Sequence, residues 1–95
     1  LMENVEIAET FSLLSKLMDI HGENSFKSKS YANAAFQLEK ITQSIQSLPA
    51  NQIAQQKGIG DPIAMKIVEL LSTGQLKMLN ELIEKTPPGI MEMLH

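Results

Sequence analysis

The stretch Ile53-Ala54-Gln55-Gln56-Lys57-Gly58-Ile59-Gly60-Asp61-Pro62-Ile63-Ala64-Met65-Lys66-Ile67-Val68 decides the fold, because it joins two apolar-patterned segments through a Gly-Ile-Gly turn too short for anything but a tight hairpin. Glycines at 58 and 60 reach backbone angles that a Cβ forbids. Ile59 between them is free to plug into a core, while the hairpin N–H groups face outward at the start of the following helix and form a backbone anion site. A plainer role is open to the same glycines: one ends a helix and the other begins the next. Asp61 reads as the N-cap of the later helix, Pro62 suits its first turn, and Gly74 follows its end near Thr73. A short helix over about 51–56 precedes the hairpin.

Working outward, Ile7, Ala8, Phe11, Leu14, Leu17 and Met18 recur at three- and four-residue steps, the stripe of an amphipathic helix from about Asn4 to Ile20. His21-Gly22-Glu23-Asn24 then turns the chain. A second stripe of Tyr31, Ala34, Ala35, Leu38, Ile41, Ile45 and Leu48 predicts a helix from about Ser28 to Ser47, closed by Pro49, with Phe26 packing across its start. Leu76, Leu79, Leu82 and Ile83 mark another helix ended by Thr86-Pro87-Pro88-Gly89, and a last short one runs through Ile90, Met91 and Leu94. No segment alternates with period two. The expected fold is all-α, a compact bundle of short helices in a single domain over residues 1–95.

With 43% hydrophobic and 20% charged residues, the chain reads as soluble and globular rather than disordered. It has no apolar run of the roughly 18 residues a membrane span needs and no signal-peptide pattern at its acidic start, so an intracellular protein is expected. Zero cysteines exclude disulfides and thiolate zinc sites, and His21 and His95 lie far apart, so no metal site built from side chains is expected. Leu1 before Met2 has the look of an expression remnant and suggests an excised domain. The net charge of −3 argues against nucleic acid until its distribution is read. Lys16 against five carboxylates leaves residues 1–23 at −4, whereas Lys27, Lys29, Lys40, Lys57 and Lys66 against Glu39 and Asp61 leave residues 24–68 at +3. Only the segment holding the hairpin is basic. Every cation is a lysine, which removes bidentate arginine contacts to phosphate or guanine and predicts sequence-independent binding.

From Ile53 to Val68 the chain resembles the helix-hairpin-helix DNA-binding motif: an apolar residue, a spacer, Gly-apolar-Gly, a gap, a small residue at Ala64 and an apolar pair at Ile67 and Val68. Gln56 departs from it, standing where the motif is usually apolar. The resemblance implies a motif over about 51–73 whose Lys57, Gly58, Ile59 and Gly60 hold a nucleic-acid phosphate, with a monovalent cation on the hairpin carbonyls.

A wider resemblance rests on Phe26-Lys27-Ser28-Lys29-Ser30-Tyr31-Ala32-Asn33-Ala34-Ala35, on Lys57-Gly58-Ile59-Gly60 and on Lys66-Ile67-Val68-Glu69-Leu70-Leu71-Ser72-Thr73-Gly74-Gln75-Leu76. Over about Ile7 to Ile83 the chain is similar to the N-terminal domain of X-family DNA polymerases, the polymerase beta group, and particularly the bacterial members. What this implies is binding of gapped, nicked or single-stranded junction DNA at a downstream 5′ phosphate during repair synthesis. It also implies that the rest of a parent polymerase, with its divalent metals, is a partner, and that the setting is the cytoplasm at the nucleoid. Lys27 falls on a phosphate-contacting lysine, with Lys29 beside it, and Tyr31 on a pocket aromatic. Phe26 stands where a histidine can stack on a base, and Lys66 falls on the Schiff-base nucleophile of a 5′-deoxyribose phosphate lyase. Ala54, Pro62 and Met78 replace lysines of lyase-active members, and Met65 replaces a glutamate.

The residues read without the resemblance leave roles open. Lys66, at the margin of its helix's apolar face, suits a lysine that extends its ammonium to water as well as a nucleophile, and Tyr31 suits a core ring. Met65 lies opposite the apolar face. Three functions therefore compete: a DNA-binding domain, a protein-interaction module that kept the fold and lost the DNA surface, and a lyase using Lys66.

Overall fold

Helix boundaries follow from local capping except where a distant side chain intervenes. The computed structural model describes residues 2–94, so Leu1 and His95, both discussed above, lie outside the described residues. Helices follow in the order α1 (Asn4–Ile20), α2 (Ser25–Lys40), α3 (Ala50–Ala54), α4 (Asp61–Thr73), α5 (Lys77–Glu84) and α6 (Pro88–Met93). No strand occurs among the described residues, and none of their helices is long and apolar enough to cross a membrane. The radius of gyration of 12.9 Å matches the about 13 Å of a compact 100-residue domain.

α1 is the axis of the molecule. It buries Ile7, Ala8, Phe11, Leu14, Leu17 and Met18 on one face, and each such large side chain removed from water contributes about 1.5–3 kcal/mol. α2 lies along α1, α5 packs on it elsewhere, and α3 pairs with α4. Ala34 and Ala35 keep α2 close to α1. A buried polar pin joins the pair: Ser28 Oγ bonds the Asp19 carboxylate, and the Ser15 hydroxyl lies 3.1 Å from it.

The second helix is shorter than its stripe predicts. It starts at Ser25, because Asn24 Oδ1 accepts from the Lys27 amide at 3.1 Å, and it stops at Lys40 rather than Ser47. The reason is Asn4 of α1, whose Nδ2 donates to the carbonyls of Ile41 (3.1 Å) and Gln43 (2.6 Å) while its Oδ1 accepts from the Ile45 amide at 2.8 Å. Those bonds replace the helical ones and hold residues 41–45 as a loop. Ile45 still enters the core, from a single 3-10 turn over Ile45–Ser47.

α4 has the bounds read from the sequence, but its N-cap is Gly60, not Asp61. The Gly60 carbonyl accepts the first helical bond from Ala64 N at 2.9 Å, and Asp61 is the first helical residue with no side-chain cap. At the other end Gly74, left-handed at φ 78°, returns its amide to the Leu70 carbonyl. Glu69 of α4 caps the next helix, its Oε2 accepting from Lys77 N at 2.8 Å. Past α5, Thr86 Oγ1 donates to the Leu82 carbonyl at 2.7 Å, which leaves His21 Nε2, 2.8 Å away, as the donor to Thr86. The C-terminal end of α1 is thereby tied to the chain after α5.

Candidate nucleic-acid interface

Between α3 and α4 the chain reverses in six residues. The Gln56 carbonyl accepts from the Ile59 amide at 3.0 Å and closes the turn, while Gly58 takes φ 80° and Gly60 φ 148°. Ile59 is 3% exposed and fills the core as expected. Gln56, at the motif's atypical position, turns its Nε2 back to the Gln52 carbonyl at 3.2 Å. The amides of Gly58 and Gly60 donate to no carbonyl among the described residues, so they remain available beside the N-terminus of α4.

The hairpin rests on α2. A Cβ at Gly58 would lie 2.4 Å from Gln37 Cγ and 3.2 Å from Asn33 Nδ2, so the backbone there approaches α2 more closely than any side chain permits. Asn33 and Gln37 were not singled out in the sequence. Their only signal was a four-residue spacing on one side of a helix, which means little until the hairpin is placed against it.

A cleft of about 950 Å³ opens between the N-terminal half of α2 on one side and the hairpin with α4 on the other. It gathers Phe26, Lys27 and Tyr31 with Gly58, Ile59, Gly60 and Lys66, residues far apart in the chain that the sequence had nominated. Lys29 and Lys57 do not line it; both are exposed outside. Pro62, Met65 and Val68 give the α4 wall an apolar surface. Glu69, at the far edge, is held by the Lys77 amide.

Within the cleft the side chains differ in freedom. Phe26 is 79% exposed and does not pack across the start of α2, because it lies off the helix face that buries Ser28, Tyr31, Ala35 and Leu38. Met65 is 73% exposed, as its place opposite the apolar face of α4 requires. Lys66 is half-buried, its stem at the margin of the face formed by Ile63, Ile67 and Leu70. Tyr31 is a core ring, buried beside Phe11 with centroids 5.9 Å apart and tilted by 39°, its hydroxyl meeting Met78 Sδ at 3.9 Å. Burial pushes the Tyr31 phenol above its ordinary pKa. Met78 thus supports Tyr31 and, like Ala54, lies outside the cleft lining.

The profile of the helix-hairpin-helix domain family matches residues 2–76, most of the chain and all of α1 through α4. The chain belongs to that family. Helix-hairpin-helix domains generally bind DNA. Comparison with curated proteins gives no match.

Proposed function

We propose that this helix-hairpin-helix domain binds DNA without sequence preference at a nick or gap, as the N-terminal domain of a bacterial X-family repair polymerase. The downstream 5′ phosphate sits on the amides of Gly58 and Gly60, with Lys27 and Lys66 as counter-charges. The observation that carries the reading is the convergence of those four residues on one cleft. Two unbonded amides and the positive end of the α4 dipole favour an anion there, and two lysines add point charges without the rigid fork that reads a base. The carbonyls of Lys57 and Ile59 accept no amide among the described residues, which suits a monovalent cation bridging the hairpin to the phosphate. The polymerase setting rests on the sequence resemblance across Ile7 to Ile83.

Binding of a labelled duplex with a one-nucleotide gap, with and without the 5′ phosphate, tests this reading. Tighter binding of the phosphorylated form, lost in Lys27→Ala/Lys66→Ala, supports it. Equal affinity for both forms, or none for either, favours the protein-interaction module.

Lyase chemistry is the second reading, and the position of half-buried Lys66 in the cleft beside Lys27 and Tyr31 favours it. Against it, Pro62 and Met65 line the cleft where lyase-active members carry charges. Among the described residues Lys27 is the only other lysine that lines the cleft, so a sugar phosphate beside Lys66 would meet little cationic help.

A further inference from the structure

The end of the molecule away from the cleft carries the opposite charge. Asn4 of α1 meets the Ile41 carbonyl at one end of the α1–α2 pair, and Asp19 meets Ser28 at the other. The start of α1 therefore lies beside the end of α2, whereas the cleft opens at that helix's N-terminal half. Between the start of α1, the end of α2 and the 41–45 loop runs a groove of about 680 Å³. Its apolar surface comes from Val5, Leu38 and Ile41, of which Val5 is 55% exposed and Ile41 half-buried. Three carboxylates line it, Glu3, Glu9 and Glu39, and among the described residues no lysine does. Glu3 is taken up by the capping box of α1, but Glu9 and Glu39 have no ion-pair partner among the described residues. One more group stands in the wall. Ser44 Oγ is shielded from solvent and has no hydrogen-bond partner among the described residues, although shielded polar groups nearly always find one.

We propose that this groove docks a short segment of a partner protein in which apolar residues stand beside lysine or arginine. Charge decides the class of occupant. Glu9 and Glu39, set against the acidic segment 1–23, repel a nucleic acid or an anionic membrane and attract a cation. The exposed apolar surface decides the rest. Lysine and arginine lay their methylene stems on apolar side chains while the charged head reaches out, so stems and apolar neighbours cover Val5 and Ile41 as the heads pair with the two carboxylates. A backbone amide of the segment supplies the donor that Ser44 lacks, once the serine turns about χ1. The groove and the cleft share no lining residue, so the domain holds DNA and this partner together, and the inference does not depend on the phosphate reading.

The test titrates three capped octapeptides into the isotope-labelled domain, followed by amide NMR: alternating leucine and lysine, alternating leucine and glutamate, and lysine alone. The leucine–lysine peptide is expected to shift the amides of Val5, Glu9, Ile41 and Ser44 and to leave those of Gly58 and Lys66 in place. It should bind at least about fivefold more tightly than octalysine, the scale of one apolar side chain partly removed from water. Glu9→Gln/Glu39→Gln should lower its affinity about fivefold, the scale of two solvent-exposed ion pairs, and Val5→Ser should erase its advantage over octalysine. Ser44→Ala should weaken the peptide while the urea midpoint of the free domain stays unchanged or rises, the reverse of what a merely structural serine would show. Equal binding of the two lysine peptides would reduce the groove to a patch of negative charge and overturn the inference. Binding of the leucine–glutamate peptide, or no shift in the groove with any peptide, would overturn it as well. Shifts at Val5 and Ile41 that grow with protein concentration and need no peptide would assign the groove to a second copy of the chain, again overturning it.

Discussion

Gly58→Ala offers a direct measure of how the hairpin is held, because its two penalties separate against a control within the same chain. At φ 80° an L-residue loses about 1–2 kcal/mol relative to glycine. The added Cβ would also stand 2.4 Å from Gln37 Cγ and 3.2 Å from Gln37 Cβ, so the near end of that side chain, not merely its tip, must move. Overpacking of this kind adds about 1–3 kcal/mol, for a total of about 2–5 kcal/mol. Gly74 has almost the same angle, φ 78°, with nothing within 4 Å of its would-be Cβ. Gly74→Ala therefore carries the strain alone, and any loss of unfolded-chain freedom is common to both variants. Urea unfolding followed by circular dichroism should place Gly58→Ala about 1–3 kcal/mol below Gly74→Ala. In a thermal melt the extra fall in Tm should be at least about 4 °C. Gln37→Ala in the Gly58→Ala background should restore part of the difference, since it removes the Cγ and leaves the Cβ. Equal destabilisation by the two glycine variants would show that the hairpin does not press on α2 and would refute the close approach on which the cleft's shape depends.

Salt should weaken DNA binding with a log–log slope of about −2 to −3, as expected for about three neutralised phosphates, and a slope near zero would speak for a protein partner instead. Borohydride trapping on an incised abasic site should give little adduct, because Lys27 alone joins Lys66 among the described lysines lining the cleft. Rapid trapping at pH 7 that Lys66→Ala abolishes would show that the domain is a lyase in its own right. Asn4→Ala should cost about 1–3 kcal/mol by stranding the Ile45 amide and two carbonyls of the 41–45 loop, with the loss read from urea midpoints. Because burial raises the Tyr31 phenol in the folded state above the 10.0 of the unfolded chain, its contribution is fully present below pH 10 and fades as pH climbs through the higher folded value. The stability of the parent should therefore drop more steeply than that of Tyr31→Phe in urea titrations between pH 9 and pH 12.

What the sequence made legible was local. The bounds of α1 and α4 could be read because an apolar stripe, a proline in the first turn and a glycine after the last announce them within a few residues. The end of α2 could not, because it is set by Asn4, whose side chain captures carbonyls 37 and 39 residues away and outbids a stripe that would otherwise continue. The site divides in the same way. Gly58, Ile59 and Gly60 declare themselves by spacing, and Lys27, Tyr31 and Lys66 by likeness to a family. The docking of α2 against the hairpin through Asn33 and Gln37 has no one-dimensional trace, and the outward turn of Phe26 is hinted at by likeness alone, since the apolar pattern packs it across the start of α2.

The bond from His21 to Thr86 bears on how small this unit can be made. The family's shared stretch stops at residue 76, and a fragment cut there would look complete by alignment. Yet Leu79 and Leu82 lie inside the core, and His21, at the foot of α1, is matched to a hydroxyl ten residues past that cut. Truncation at 76 would bare an apolar flank of α1 and leave an imidazole donor without its acceptor. The smallest portable version of this domain, for grafting onto another protein or for labelling studies, therefore runs through Thr86.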